Sequence, residues 1–262
     1  LQADCDKYYA KALEELAGCG YRKVDFDHLS KEDERFWKKY FQTELFPILS
    51  PQIVDSRHPF PFLRNKEIYL GVLLHEKHTS EHTLGIVPIS SQMERMHFVR
   101  KDNETCFALT EELVLHYAAL IFGKENVQEK CLFRVTRNAD IDPDGEGVEE
   151  EEDYRQHMKR ILKKRLRLQP VVLAVSGSLE KATLKTIRKA LELSRRSVFT
   201  CDIPLDLGYV FGIEGKIPEH LRNELLFTPF RPQPNPTIDM TRSIREQVLQ
   251  HDKLLFYPYE AM

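Results

Sequence analysis

The sequence predicts an α+β fold: a two-layer mixed sheet with helices, preceded by a short helical segment. Apolar runs of strand length, IYLGVLL, TLGIVPI, CLFRVTR and VVLAV, are separated by segments of helical periodicity. Proline clusters near 47–61 and 229–236 punctuate the chain. With 262 residues, 42% of them hydrophobic, there is enough apolar surface for a full core in one or two domains.

The elements follow in order. Ala3, Ala10, Leu13, Leu16 and Ala17 recur at helical spacing over 2–17, and Gly18 and Gly20 end that helix. Ser30 followed by Asp33 caps a second helix running to about Glu44, with Phe36, Trp37, Tyr40 and Phe41 as its buried stripe. Two amphipathic helices this close are expected to pack together. Pro47 and Pro51 then stop helix, because proline lacks the donor and restricts its predecessor. From Ile68 the period changes to strand, and IYLGVLL and TLGIVPI read as an antiparallel pair. Thr110 with Glu112 opens a helix through Leu113, Val114, Tyr117, Ala118 and Ile121, closed by Gly123. The strand CLFRVTR follows, then the acidic, Gly-containing run 142–153 and a basic amphipathic helix to about 169. VVLAV reads as a buried strand, and Ser178 caps a helix reaching about Leu191. Residues 226–237, with four prolines, are an extended connection into a further element that begins near 241. Domain boundaries are expected near 50 and 240.

Composition excludes several classes. Asp and Glu number 41 against 38 Lys and Arg, so the net charge of -3 offers no global steering toward nucleic acid, and no DNA partner is expected. No apolar run approaches the roughly 20 residues of a membrane span, and the first residues lack a signal-peptide pattern; a cytoplasmic location is expected. The five scattered cysteines read as reduced thiols filling core. The start without Met and the stop just after an apolar run suggest a piece of a longer protein.

Several motif-like groups dissolve on inspection. His75, His78 and His82 fall at the polar tip of a hairpin, where a solvated turn accounts for them better than a metal does. Gly212, Gly215 and Lys216 have the wrong spacing for a phosphate loop. The basic helix, with Arg155, Lys159, Arg160, Lys163, Lys164, Arg165 and Arg167, suits a polyanion, but a solvated helix face explains the same residues.

More specific is FRVTRNAD, Phe133 to Asp140. A strand exit holding Arg134 and Arg137 can present two guanidiniums to one anion, with Asn138 beside them and Asp140 orienting one arginine; the same residues can instead form an internal ion-pair network. In the Pro-stiffened segment Phe46 to Asn65, His58, Arg64 and Asn65 either line a site or satisfy buried backbone. Phosphate or polyphosphate contacts are expected of Arg134, Arg137, Asn138 and Arg64; no catalytic residue and no metal ligand is expected in the chain.

YFQTELFPILSPQIVD, HPFPFLRN, FRVTRNADI and LLFYPYE together resemble the bacterial polyphosphate kinases of the long, histidine-phosphorylating type, over essentially the whole chain. The resemblance implies an enzyme that moves the ATP γ-phosphoryl group onto its own histidine and then onto polyphosphate, with magnesium. It places the catalytic histidines and arginines in two phospholipase-D-like domains after Met262, and an adenine-contacting asparagine before Leu1. The chain would then hold the end of a helical domain (1–50), a middle or head domain (51–240) and the start of the first catalytic domain (241–262). Such a portion is expected to be inactive alone, to take part in a homodimer and to wall a tunnel. Peripheral membrane association is not readable from the sequence. The alternative is a stand-alone polyanion-binding module. The acidic run 142–153 departs from the family pattern.

Overall fold

The structure, a computed structural model, describes residues 2–55, 57–75, 82–101, 104–123, 127–138, 155, 168–176, 181–217, 226–228, 238–239 and 241–250. His78, Asp140, Ser178, the run 142–153, nearly all of the basic helix and LLFYPYE lie outside the described residues. The chain divides into two compact units, Leu1–Val210 and Phe211–Met262. The boundary expected near 50 falls inside the first unit.

The α+β class is as expected. Its centre is a six-stranded sheet in the order β2-β4-β3-β7-β8-β9. These strands are β2 (Gln52–Val54), β3 (Ile68–His75), β4 (His82–Ile89), β7 (Val127–Arg137), β8 (Pro170–Ser176) and β9 (Val198–Cys201). Neighbours are antiparallel except β8 and β9, which run parallel. The expected pair is β3 and β4, in register from Ile68 opposite Ile89 to His75 opposite His82. A second sheet orders β1 (Tyr21–Lys23), β6 (Glu104–Leu109) and β5 (Met96–Lys101), with β1 parallel to β6.

Both faces of the larger sheet are covered. On one face Leu70, Val72, Leu74, Val87 and Leu132 meet Trp37, Phe41, Leu45, Leu113, Val114 and Tyr117. On the other, Tyr69, Ile86, Cys131, Phe133, Val135, Leu173 and Val175 meet Leu63, Ile187, Leu191 and Leu193. This is why β3 reads as a continuous apolar run: each of Ile68 to Leu74 is buried. Gly71 lies under the Phe133 ring, where an added Cβ would sit 3.0 Å from that ring and 3.2 Å from the Cys131 sulfur.

The helices are α1 (Gln2–Gly18), α2 (Lys31–Tyr40), α3 (Thr110–His116), α4 (Ala118–Phe122) and α5 (Lys181–Ala190). Ser30 caps α2 as expected, its hydroxyl accepting the Asp33 N–H at 3.1 Å. Beyond Tyr40 the chain widens into a π-turn over Phe41–Leu45, and the inner line becomes Trp37, Phe41 and Leu45, spaced by four. Phe36, expected in that stripe, is 42% exposed because it falls beside that line. Helix α1 makes its main contacts with β1, a strand the periodicity missed, rather than with α2. The expected helix from Thr110 to Gly123 breaks at Tyr117 (φ -92°, ψ 18°). Its N-cap is Leu109; the Thr110 hydroxyl is taken by partners distant in sequence. Of the cysteines expected to fill core, Cys131 alone is buried and Cys5 is exposed. In the second unit the helix Ile244–Gln250 turns the Gln247 carboxamide onto the backbone of Asp239 in both directions, at 2.7 and 2.8 Å.

Candidate functional site

Arg134 and Arg137 do not converge. Side chains alternate along a strand, so residues three apart on β7 leave opposite faces of the sheet. The irregularity in the ladder, Thr136 opposite Val172 but Arg137 opposite Pro170, puts the extra residue in β8 and leaves the alternation of β7 intact.

Each guanidinium turns to backbone carbonyls. Arg137 donates from Nε and Nη2 to the Leu63 carbonyl, at 3.0 and 2.8 Å, and from Nη1 to that of Leu168 at 2.8 Å. It is 7% exposed, and the Phe62 ring covers it with 4.4 Å between the guanidinium carbon and the ring centroid. Burial pushes its pKa down from the usual value, yet an arginine remains charged throughout the physiological range. Its backbone N–H is held by the Asn65 side chain at 2.9 Å, and the Asn138 N–H by the Gln169 carbonyl at 3.0 Å.

On the opposite face Arg134 donates to the carbonyls of Lys66 (3.0 Å) and Leu205 (2.8 Å) and reaches the Asp206 carboxylate at 3.3 Å. Lys66 has a left-handed backbone (φ 61°), a conformation costing about 1–2 kcal/mol in a non-glycine residue. Its N–H bond to the Val135 carbonyl and the Arg134 contact hold it there. Asp206 is also met by Arg95, whose Nη1 lies 3.5 Å from the carboxylate. Burial pushes Asp206 up, but the Gly208 N–H, Arg134 and Arg95 outweigh it and leave the carboxyl below its usual range. Arg95 in turn forks onto Glu111, which is 1% exposed. The two arginines therefore tie together segments near 63–66, 168 and 205–206.

Arg64 is placed differently. Its backbone N–H donates to the Tyr69 hydroxyl at 2.7 Å, which itself donates to Glu67 at 2.8 Å, while the arginine as a whole is exposed. It borders a cavity of about 420 Å³ whose lining includes Gln52, Phe62, Glu67, Tyr69 and Gln92. None of these five was anticipated as a site residue, although Phe62 stands in the same Pro-stiffened run as Arg64. His58, by contrast, is exposed and bonds its own turn through Asp55 at 3.0 Å.

A second cavity, of about 430 Å³, lies beside Lys23, Phe26, Glu112, His116 and Lys130. Lys23 pairs with one oxygen of Glu112, and the other oxygen is buried with no hydrogen-bond partner among the described residues. Burial drives the Glu112 pKa upward, against the pull of Lys23. Elsewhere a partly buried relay joins Tyr40, His97 and Thr110. Because the Thr110 hydroxyl donates to the Glu94 carbonyl (2.6 Å), it accepts from His97 Nε2 (2.7 Å), which leaves Nδ1 to accept from the Tyr40 hydroxyl (2.7 Å). Burial lowers the His97 pKa.

Residues 32–213 match the family described as polyphosphate kinase middle domain. The polyphosphate kinase of Bacillus cereus is 30% identical across 100% of this chain and 37% of its own length. That of Halalkalibacterium halodurans is 31% identical across 98% of this chain and 36% of its own. The crystal structure of the polyphosphate kinase from Porphyromonas gingivalis matches with a TM-score of 0.66, covering 92% of this chain and 34% of that one; at 15% identity it shows a shared fold. The chain thus spans about a third of the length of the relatives it matches. No helix among the described residues is long and apolar enough to cross a membrane.

Proposed function

The chain belongs to the polyphosphate kinase family, matching its middle domain, and from that premise we propose that it is the non-catalytic middle portion of an ATP:polyphosphate phosphotransferase. In the whole enzyme the ATP γ-phosphoryl group passes to a histidine and on to polyphosphate, and that chemistry belongs to segments outside this chain. The portion described here holds the fold rigid, takes part in a homodimer and forms part of a tunnel wall.

The observation supporting this reading is the use of Arg134 and Arg137: both guanidiniums are committed to carbonyls of remote segments, as a scaffold requires. Among the described residues no three His, Cys, Asp or Glu side chains are grouped to hold a metal, so no step is routed through one.

The test is to incubate the chain with ATP labelled at the γ-phosphate and magnesium, then assay acid-labile label on the protein. No labelled histidine is expected; label on this chain would overturn the division of labour.

A second reading, a polyanion-binding module, is favoured by Arg64, whose side chain makes no hydrogen bond or ion pair among the described residues and borders an open cavity. Of the four expected phosphate contacts, Arg64 is the one that lines this cavity. Asn138 is exposed at the end of β7 and is not among the residues that line that cavity. Binding of polyphosphate through such a contact would weaken as salt rises.

A further inference from the structure

Resting on the reading of Arg64 as a phosphate contact, we propose that the cavity it borders binds a nucleoside monophosphate. Its volume of about 420 Å³ lies within the range of small-ligand sites. The charge of the lining decides between phosphate ligands. Arg64 and Glu67 are the charged residues that line it, so a polyphosphate chain, with many anionic groups, would bring several charges against one guanidinium and one carboxylate. A single phosphate matches a single guanidinium.

The rest of the lining suits the rest of such a ligand. Phe62 is 57% exposed although Arg137 covers part of its ring, so aromatic surface remains for a planar base to stack on. Gln52 and Gln92 each carry a donor and an acceptor, the combination that reads the edge of a base. Glu67 spends one oxygen on the Tyr69 hydroxyl and keeps acceptor capacity for ribose hydroxyls. The backbone N–H of Arg64 donates to the same phenol, which ties the loop carrying the arginine to the residue that holds Glu67.

The experiment is calorimetric titration of the 262-residue chain at low salt with AMP, adenosine and inorganic tripolyphosphate. It is repeated on Arg64→Gln, Phe62→Leu and Gln92→Ala after their thermal transitions are compared with that of the parent. AMP should bind more tightly than adenosine, and each substitution should weaken AMP by about tenfold. If tripolyphosphate binds through Arg64 while AMP does not, the nucleotide assignment falls and the phosphate reading of Arg64 stands. If neither binds, both fall. AMP binding that no substitution weakens places the nucleotide elsewhere and also overturns the proposal.

Discussion

Arg137 closes on the carbonyl of Leu63 through two of its nitrogens, 74 residues away in sequence, and in doing so shuts the end of β7 onto the Pro-stiffened segment. A charged donor pair on a neutral buried acceptor is among the stronger hydrogen-bond arrangements. Arg137→Ala would leave the Leu63 and Leu168 carbonyls without these donors, and the expected loss is about 2–4 kcal/mol in urea unfolding. Arg137→Lys should recover little of it, because one ammonium cannot span both carbonyls.

Arg95 and Glu111 form an ion pair in which the carboxylate is almost wholly buried. Arg95→Met should destabilise by about 3–5 kcal/mol by stranding that charge. The double variant Arg95→Met with Glu111→Leu should be less damaged than Arg95→Met alone. A double loss equal to the sum of the losses of Arg95→Met and Glu111→Leu measured singly would show that the pair is not coupled.

Gly71 has no room for a methyl group under Phe133. Gly71→Ala should cost about 1–3 kcal/mol by overpacking, read as a lower melting temperature. Adding Phe133→Leu to Gly71→Ala should cost less than Phe133→Leu costs in the parent chain, since the smaller side chain gives the methyl space.

His97 links stability to pH. Burial holds its folded pKa below the ordinary value, opposed by the nearby Glu94 and Glu111 carboxylates. Between that lowered value and about 6.5 the unfolded chain binds more protons, so stability rises with pH in that window. The contribution is complete above about pH 6.5 and is lost as pH falls through the folded value. Unfolding free energies of the parent and of His97→Gln, measured from pH 5 to 8, should differ most at the alkaline end. Parallel profiles would exclude a role for this imidazole in the linkage.

Much of the fold was legible in local pattern. The paired strands IYLGVLL and TLGIVPI, the cap at Ser30 and the strand ending at Arg137 each follow from side-chain period or from a short-range hydrogen bond, and each appears where expected. Short strands such as Tyr21–Lys23 and Val198–Cys201 carry too few residues to show a period, and they form because a neighbouring edge accepts them. Phe36 lies outside the buried line for a related reason: which side of a helix is buried depends on what packs there.

The candidate site shows the same division. That Arg134, Arg137 and Arg64 hold positive charge at a strand end and a stiff loop was written in the residues. What each charge faces was not, because the carbonyls of Leu63, Leu168 and Leu205 and the lining of the Arg64 cavity come from segments remote in sequence. Sequence by itself determined the α+β class, the main strands and the family resemblance, since period and residue type act over a few positions. Tertiary structure alone decided that two arginines are clamps and one borders a cavity, since a guanidinium's role depends on which acceptors the folded chain brings within about 3 Å of it.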